Sequence, residues 1–395
     1  LTRPKAILAG WVLPMGSEAI ENGGVVWTGD RILAVGSRHR VMSLSPQIKA
    51  DAARSILLPG LINAHAHLEL TGLSNRRPAA RRPFTSWLDS IVMEKRRLTG
   101  AVIRRAILAG ERRLLETGTT AVADIASTDA ALSFHRTLRT RVFQEVLGVR
   151  SAVRLPRRGR PLSPHAPYSL SDENLRRVSR WWFHHPESHL TMHIGESASE
   201  SDYFLRGTGP FRDFYSRLGL NRPAPGERVI GYLDSLHLLR YGLLAVHLND
   251  VTSREARLLA KREIACAVCP GSMSFFGFSP AGVRRQQSAG MRLVFGTDSL
   301  ASNTDLNLFR ELRLARRILG WSARRLLCSA TVLAGQTLWD GNAGELKPGA
   351  CADFLLVRRA GGRTADPYED LMRGKSETRI ERVWSKGETA LRQES

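Results

Sequence analysis

The chain has 395 residues, 43% of them hydrophobic and 24% charged, the composition of a globular protein with a large core. No apolar run reaches the roughly 18 residues that cross a bilayer, and the opening Leu1–Leu8 lacks the charged-then-apolar layout of a signal peptide, so a cytoplasmic protein without membrane contact is expected. The formal charge of +21 raises nucleic acid as a partner, but its arginines recur in pairs such as Arg104-Arg105, Arg112-Arg113, Arg176-Arg177 and Arg316-Arg317 on polar faces of predicted helices, so a solvated surface and no nucleic-acid partner are expected.

Residues 1 to about 55 read as short strands between turns: Ala6–Val12, Gly24–Thr28 and Arg31–Val35, with Gly29-Asp30 as a hairpin signal. The far end has the same character, because Gly344–Asp353 leads into Phe354–Val357, and Arg382–Trp384 precedes a turn at Lys386-Gly387. This predicts a small β-sandwich domain built from both termini, residues 1–55 plus 345–395, and a second domain over 56–344.

Within that second domain strand-like and helix-like segments alternate, the signature of βα units on a parallel sheet. The first strand holds Leu57, Leu58, Leu61 and Ile62, a pattern buried on both faces, and ends in His65-Ala66-His67. If residues 61–70 are extended, His65, His67 and Glu69 face one side while Ala64, Ala66 and Leu68 face the other. Two buried imidazoles are costly unless hydrogen-bonded or used, so this pair reads either as core histidines or as a site. A helix from near Thr99 to Gly118 follows, then strands at Thr119–Asp124 and Arg141–Leu147. A fourth, less regular strand ends within Leu162–Ser169, before a helix that Ser171 can cap. Strands five, six and eight are Leu190–Glu196, Leu243–Asn249 and Arg292–Ser299, the last feeding a helix from about Asp305 to Leu319, and strand seven holds Cys266 and Cys269 and ends at Pro270–Ser272. Eight strands in this order predict an α/β fold, a (β/α)₈ TIM barrel.

Four cysteines are too few and scattered for a disulfide framework, and Cys266-Ala-Val-Cys269 lies in an apolar run that reads as a buried strand holding two thiols. Barrel enzymes carry their chemistry at the C-terminal ends of the strands, and here those ends supply His65, His67, His165, His193, Glu196, His247 and Asp298. Imidazoles and carboxylates gathered at successive mouths suit a divalent ion and a group that handles protons.

The pieces "LPGLINAHAHLEL", "SPHAPYSL", "HIGES", "HLND", "CPGSMSFFG", "GTDSLASN" and "GELKPGACADFLLV" cover most of the chain. By them the sequence resembles the amidohydrolase superfamily, in the branch of adenosine-type and cytosine-type deaminases and related chlorohydrolases. The resemblance implies that His65, His67, His193 and Asp298 hold one divalent metal ion, Zn²⁺ ahead of Fe²⁺, with a place left for water. It implies that Glu196 takes a proton from that water and delivers it to the ring nitrogen and the leaving amine. His247, beside Asp298 in the catalytic group, would hydrogen-bond the attacking hydroxide. Binuclear members bridge their metals with a carboxylated lysine on strand four; no lysine occurs between Lys95 and Lys261, which favours one metal.

His165 and Ser302 are carried from the resemblance as substrate-binding residues, with Trp87 as a stacking candidate and Phe275 and Phe276 as further ones, core packing being the alternative for each aromatic. Glu69 either touches substrate or supports a histidine. The arginines of the Arg76–Arg82 loop are candidates for pairing with a substrate carboxylate. The implied activity is hydrolytic deamination of an aminated purine nucleoside or related heteroaromatic, with 5′-modified adenosines such as aminodeoxyfutalosine, methylthioadenosine or adenosylhomocysteine foremost. A chlorohydrolase or cyclic-amide hydrolase is the enzymatic rival; an inactive barrel scaffold or basic nucleic-acid binder is the non-enzymatic one. The expected partner is a small-molecule substrate, with a homodimer left open.

Overall fold

The computed structural model describes residues 3–76, 83–156, 159–220, 222–359, 366–373 and 379–392. In chain order its strands are β1 (Lys5–Val12), β2 (Ile20–Thr28), β3 (Arg31–Ser37), β4 (Gln47–Pro59), β5 (Leu61–Ala66), β6 (Thr119–Ala126), β7 (Arg139–Val146), β8 (Leu162–Pro164), β9 (Leu190–Ile194), β10 (Leu243–His247), β11 (Ala265–Val268), β12 (Arg292–Phe295), β13 (Phe354–Arg358), β14 (Ile380–Ser385) and β15 (Glu388–Arg392). They form two sheets.

The first sheet joins both termini in the order β15-β14-β13-β4-β1-β2-β3. Trp27 on β2 meets Phe354 on β13 and Trp384 on β14 at ring separations of 5.0 and 6.4 Å. Its indole nitrogen donates to the Gly387 carbonyl at 2.9 Å. Because β2 and β14 are not sheet neighbours, these contacts require the sheet to roll over on itself, around a core that includes Ile7, Val25, Leu57 and Leu356. One rolled sheet thus supplies both layers of the expected sandwich.

The second sheet runs β5 to β12 in chain order, every pair parallel. It closes where the His65 carbonyl accepts from the backbone nitrogens of Thr297 and Asp298, both at 3.1 Å. Ile62, Ala121, Phe143, Leu244, Ala267 and Val294 meet in one buried cluster, and residues from so many strands can touch only inside the barrel. Ala334 and Leu338 of the helix Val332–Leu338 join that cluster and plug one end. Outside, Ile103 and Ile107 of the helix Gly100–Glu116, capped by Thr99, pack on Ala66 and Leu68.

Two local readings need correction. Strict alternation puts Ala64 and Ala66 on one side, but Ala64 packs inside the barrel and Ala66 against the outer helix. The register slips by one residue against β6 between Asn63 and Ala66, a bulge that resets the phase just before the histidines. The extended segment also ends at Ala66, and Leu68–Arg76 is a 3₁₀ helix.

The two sheets meet at Gly60, whose backbone nitrogen donates to the Asp353 carbonyl at 3.0 Å. A Cβ there would lie 1.8 Å from Thr120 Oγ1, so only glycine allows this close passage from β4 into β5. Asp353 ties the sheets a second time, accepting from Arg139 Nε at 2.5 Å and from the Lys386 backbone nitrogen at 2.6 Å.

Candidate metal centre and active site

His65 and His67 stand at the mouth of β5, His193 on β9, and Asp298 just past β12. The Nε2 atom of His193 lies 3.1 Å from His65 Nε2 and 3.4 Å from His67 Nε2. Asp298 Oδ1 lies 3.8 Å from His65 Nε2 and 3.7 Å from His67 Nε2. Ligand atoms held about 2.0–2.1 Å from a tetrahedral zinc are about 3.3–3.4 Å apart, so these spacings match the edges of one coordination shell.

Proton bookkeeping points the same way. His193 Nδ1 is 2.6 Å from the His165 carbonyl, which assigns the proton to Nδ1 and leaves the Nε2 lone pair facing inward. One lone pair accepts one proton, so it cannot satisfy both facing imidazoles. Burial, and then the neighbouring histidines, hold His65 well below its ordinary pKa, which keeps that ring neutral. The Nδ1 atoms of His65 and His67 are buried without hydrogen-bond partners among the described residues. Converging lone pairs, a carboxylate and a shortage of protons fit a bound divalent cation, and three imidazoles with one carboxylate suit zinc.

Asp298 is aimed by its other oxygen, Oδ2, which accepts from Ser272 Oγ at 2.9 Å and Ser302 Oγ at 2.6 Å. Burial works against its ionisation, but His247, His67 and the Ser302 hydroxyl hold the carboxyl below its ordinary pKa. Asp298, His247 and Leu248 adopt left-handed backbone conformations, with φ of 57°, 73° and 49°. Such conformations are costly for these residue types and persist where the surroundings over-determine them.

Glu196 Oε1 sits 3.6 Å from His247 Nε2. Burial, then the nearby Asp298 and Glu200 carboxylates, pushes the Glu196 carboxyl well above its ordinary pKa. Burial, opposed by Asp298 and reinforced by neighbouring imidazoles, drives His247 down to about 3, so this ring is neutral. A carboxyl that readily holds a proton thus faces an imidazole that readily accepts a hydrogen bond.

These groups floor a cavity of about 280 Å³ whose walls include Leu70, Trp87, Leu88, Lys95, Glu145 and Tyr168. His165 lines it, with its ring 4.9 Å from that of His193. Trp87 also lines it, donating from its indole to the Ala301 carbonyl at 3.2 Å and stacking on Phe84. Phe276 packs edge-on behind Trp87, at 5.0 Å. The structure therefore brings together every expected ligand, Glu196, His247, His165 and Trp87.

Two others do not line this cavity. Ser302 is wholly buried, with its hydroxyl spent on Asp298. Glu69 turns away from the histidines, accepting from Ser127 N and Oγ and pairing with Lys95 at 3.3 Å. The Arg76–Arg82 side chains fall outside the described residues. Cys266 and Cys269 are buried free thiols, as their apolar run predicts. Sequence reasoning passed over Lys95 and Glu145, although Glu145 ends a barrel strand and obeys the same rule that found the other site residues.

The amidohydrolase family profile matches residues 56–156 and 157–390. Aminodeoxyfutalosine deaminase of Deinococcus radiodurans is 27% identical over 357 residues, covering 83% of this chain and 84% of that protein. The 5-methylthioadenosine/S-adenosylhomocysteine deaminase of Desulfovibrio desulfuricans is 28% identical over 370 residues, covering 86% and 80%. The crystal structure of Helicobacter pylori aminofutalosine deaminase superposes with a TM-score of 0.81 at 23% identity, covering 98% of this chain and all of that one (100%).

Proposed function

The chain belongs to the amidohydrolase family, and from that premise we propose that it is a metal-dependent deaminase of an aminated purine nucleoside, with a 5′-modified adenosine as substrate. The observation that carries the reading is the pairing of Glu196 with His247 at 3.6 Å beside the imidazoles of His65, His67 and His193 and the Asp298 carboxylate. The names of the similar proteins point to the same substrate class.

His65, His67, His193 and Asp298 would hold the ion. When bound, it makes water a usable nucleophile near neutral pH, lowering the water's pKa to about 7, and polarises the reacting centre. Glu196 Oε1 takes one proton from the water and gives it to the purine ring nitrogen, then takes the second from the added hydroxyl and gives it to the amino group as it leaves. His247 Nε2 hydrogen-bonds the oxygen being added and keeps it aligned with the ring carbon. His165 holds His193 through its carbonyl and offers its ring to the cavity. Trp87 and the apolar wall exclude water and stack against the base. The balance is one water consumed, the exocyclic C–N bond broken, and ammonia and the oxo-purine released.

We assign this chemistry to residues 56–344 of a cytoplasmic enzyme, with residues 1–55 and 345–395 as a brace. The test is ammonia release from zinc-replete protein over adenosine, 5′-methylthioadenosine, S-adenosylhomocysteine, aminodeoxyfutalosine, guanine and cytosine, with chlorinated triazines and lactams as controls. Ammonia from at least one 5′-modified adenosine is expected. Chloride release or ring opening, with every adenosine inert, would replace this reading by its rival.

A further inference from the structure

One wall of the cavity takes no part in the proton transfers above. Glu145, at the C-terminal end of β7, is 6% exposed and lines the cavity. Its Oε2 accepts from Lys95 Nζ at 3.1 Å, and Lys95 in turn pairs with Glu69 at 3.3 Å. Its other oxygen, Oε1, is buried with no hydrogen-bond partner among the described residues. A buried carboxylate oxygen without a donor is disfavoured, so an occupant that brings a donor is favoured there. Burial opposes the ionised form, yet the Lys95 ammonium holds the carboxyl far below its ordinary range, so Glu145 is a fixed acceptor with nothing to donate.

Other parts of the cavity wall differ in character. Leu70, Leu88, Ile91, Val92 and Leu147 are apolar, and Ser127 adds a hydroxyl near the Glu69–Lys95 pair. A ligand complementary to both surfaces has an apolar body and hydroxyl donors on one edge. Building on the deaminase reading, we propose that Glu145 Oε1 accepts a hydrogen bond from a 2′- or 3′-hydroxyl of the substrate's sugar, which makes Glu145 a specificity-determining residue that selects ribonucleosides over deoxynucleosides. Lys95 is the positioning residue that holds this acceptor ionised and in place.

The test compares kcat/KM for the 5′-modified adenosine that releases ammonia with its 2′-deoxy and 3′-deoxy counterparts, in wild type and in Glu145→Gln and Glu145→Asp. Wild type should prefer the ribonucleoside by at least about 100-fold over one of the deoxy forms, because a site built to bind a hydroxyl rejects an analogue that lacks it. Glu145→Gln should cut that preference at least tenfold by lowering only the ribonucleoside's kcat/KM, with zinc content unchanged. Glu145→Asp keeps the charge and withdraws the acceptor by one methylene; it should fall between the two, and it serves if the glutamine variant does not fold. Equal turnover of ribo and deoxy forms by wild type, or parallel loss on both in the variants, would overturn the proposal and leave the deaminase reading standing. No ammonia from any nucleoside, with zinc bound, would remove both.

Discussion

Glu196 and the histidines can be separated by what each mutation leaves behind. Glu196→Gln keeps the side-chain volume and alters none of the ligand atoms, so zinc content should match wild type while kcat falls by about 10²–10⁴-fold, the usual worth of a general acid–base. Metal analysis beside turnover checks it, and near-normal kcat would remove Glu196 from proton transfer. His67→Ala deletes a ligand and should cost the metal itself; full zinc content in that variant would mean the ligand set is wrong. Glu311 offers a pH test away from the ligands. It accepts from Gly271 N at 2.6 Å and Asn303 Nδ2 at 2.8 Å, and burial, opposed by these donors, pushes its carboxyl up to about 7 from an ordinary 4.5. A raised folded pKa means the native state keeps a proton that the unfolded chain releases. Its contribution to stability is therefore complete below about pH 4.5 and lost as pH rises through about 7. Chemical denaturation of Glu311→Gln should show a shallower loss of stability from about pH 5 to about pH 8 than wild type, and an unchanged slope would count against this titration.

At the scale of elements, the strand β5 does two jobs within six residues. Its first half packs the barrel interior through Ile62 and Ala64, and its second half presents His65 with His67 just beyond its end; the bulge before Ala66 lets both happen on one side. Closure of the barrel at the same point is tight, since a Cβ on Gly296 would lie 2.8 Å from His65 Cβ. Gly60, where the rolled sheet hands over to the barrel, is tighter still. Gly60→Ala would drive a methyl into Thr120, with Oγ1 at 1.8 Å and Cγ2 at 2.4 Å. Overpacking of this kind costs about 1–3 kcal/mol or more, and here it should also weaken zinc binding by displacing β5. Denaturation midpoint and zinc affinity measured together check this; a lower midpoint with unaltered zinc affinity would mean that the ligand strand absorbs the shift.

At the scale of the whole molecule, a bound metal would link three strand ends, those of β5, β9 and β12. Removing it with a chelator should lower the thermal midpoint and abolish ammonia release together, and adding back zinc should restore both. A ligand present at about 100 times its Kd stabilises the native state by about 2.7 kcal/mol. An unchanged midpoint after verified metal removal would mean that the shell is preformed without need of the ion. Arg104, Arg105, Arg112, Arg284, Arg324 and Arg325 are all exposed on outer helices. No helix of the described residues is long and apolar enough to cross a membrane.

What the sequence determined by itself follows from period and spacing, which are local. Alternating strand and helix patterns, the polar residues at strand ends and the matching β character of the two termini were enough for the barrel, the terminal sheet and the set of candidate ligands. Only the tertiary structure decided which of those residues converge and which do not. Glu69 sits four residues from His65 yet points to Ser127 and Lys95, because the strand ends at Ala66 and a 3₁₀ turn redirects the chain. Asp298 lies more than 200 residues from His65 yet shares its shell, because the barrel closes between those two strands and places Oδ1 3.8 Å from His65 Nε2. Ser302 and Glu145 depend on distant strands in the same way: the Ser302 hydroxyl donates to Asp298, and one Glu145 carboxylate oxygen meets no donor among the described residues. A short-range pattern can say which way a side chain starts, but the partner that it meets depends on distant strands being brought within hydrogen-bonding distance.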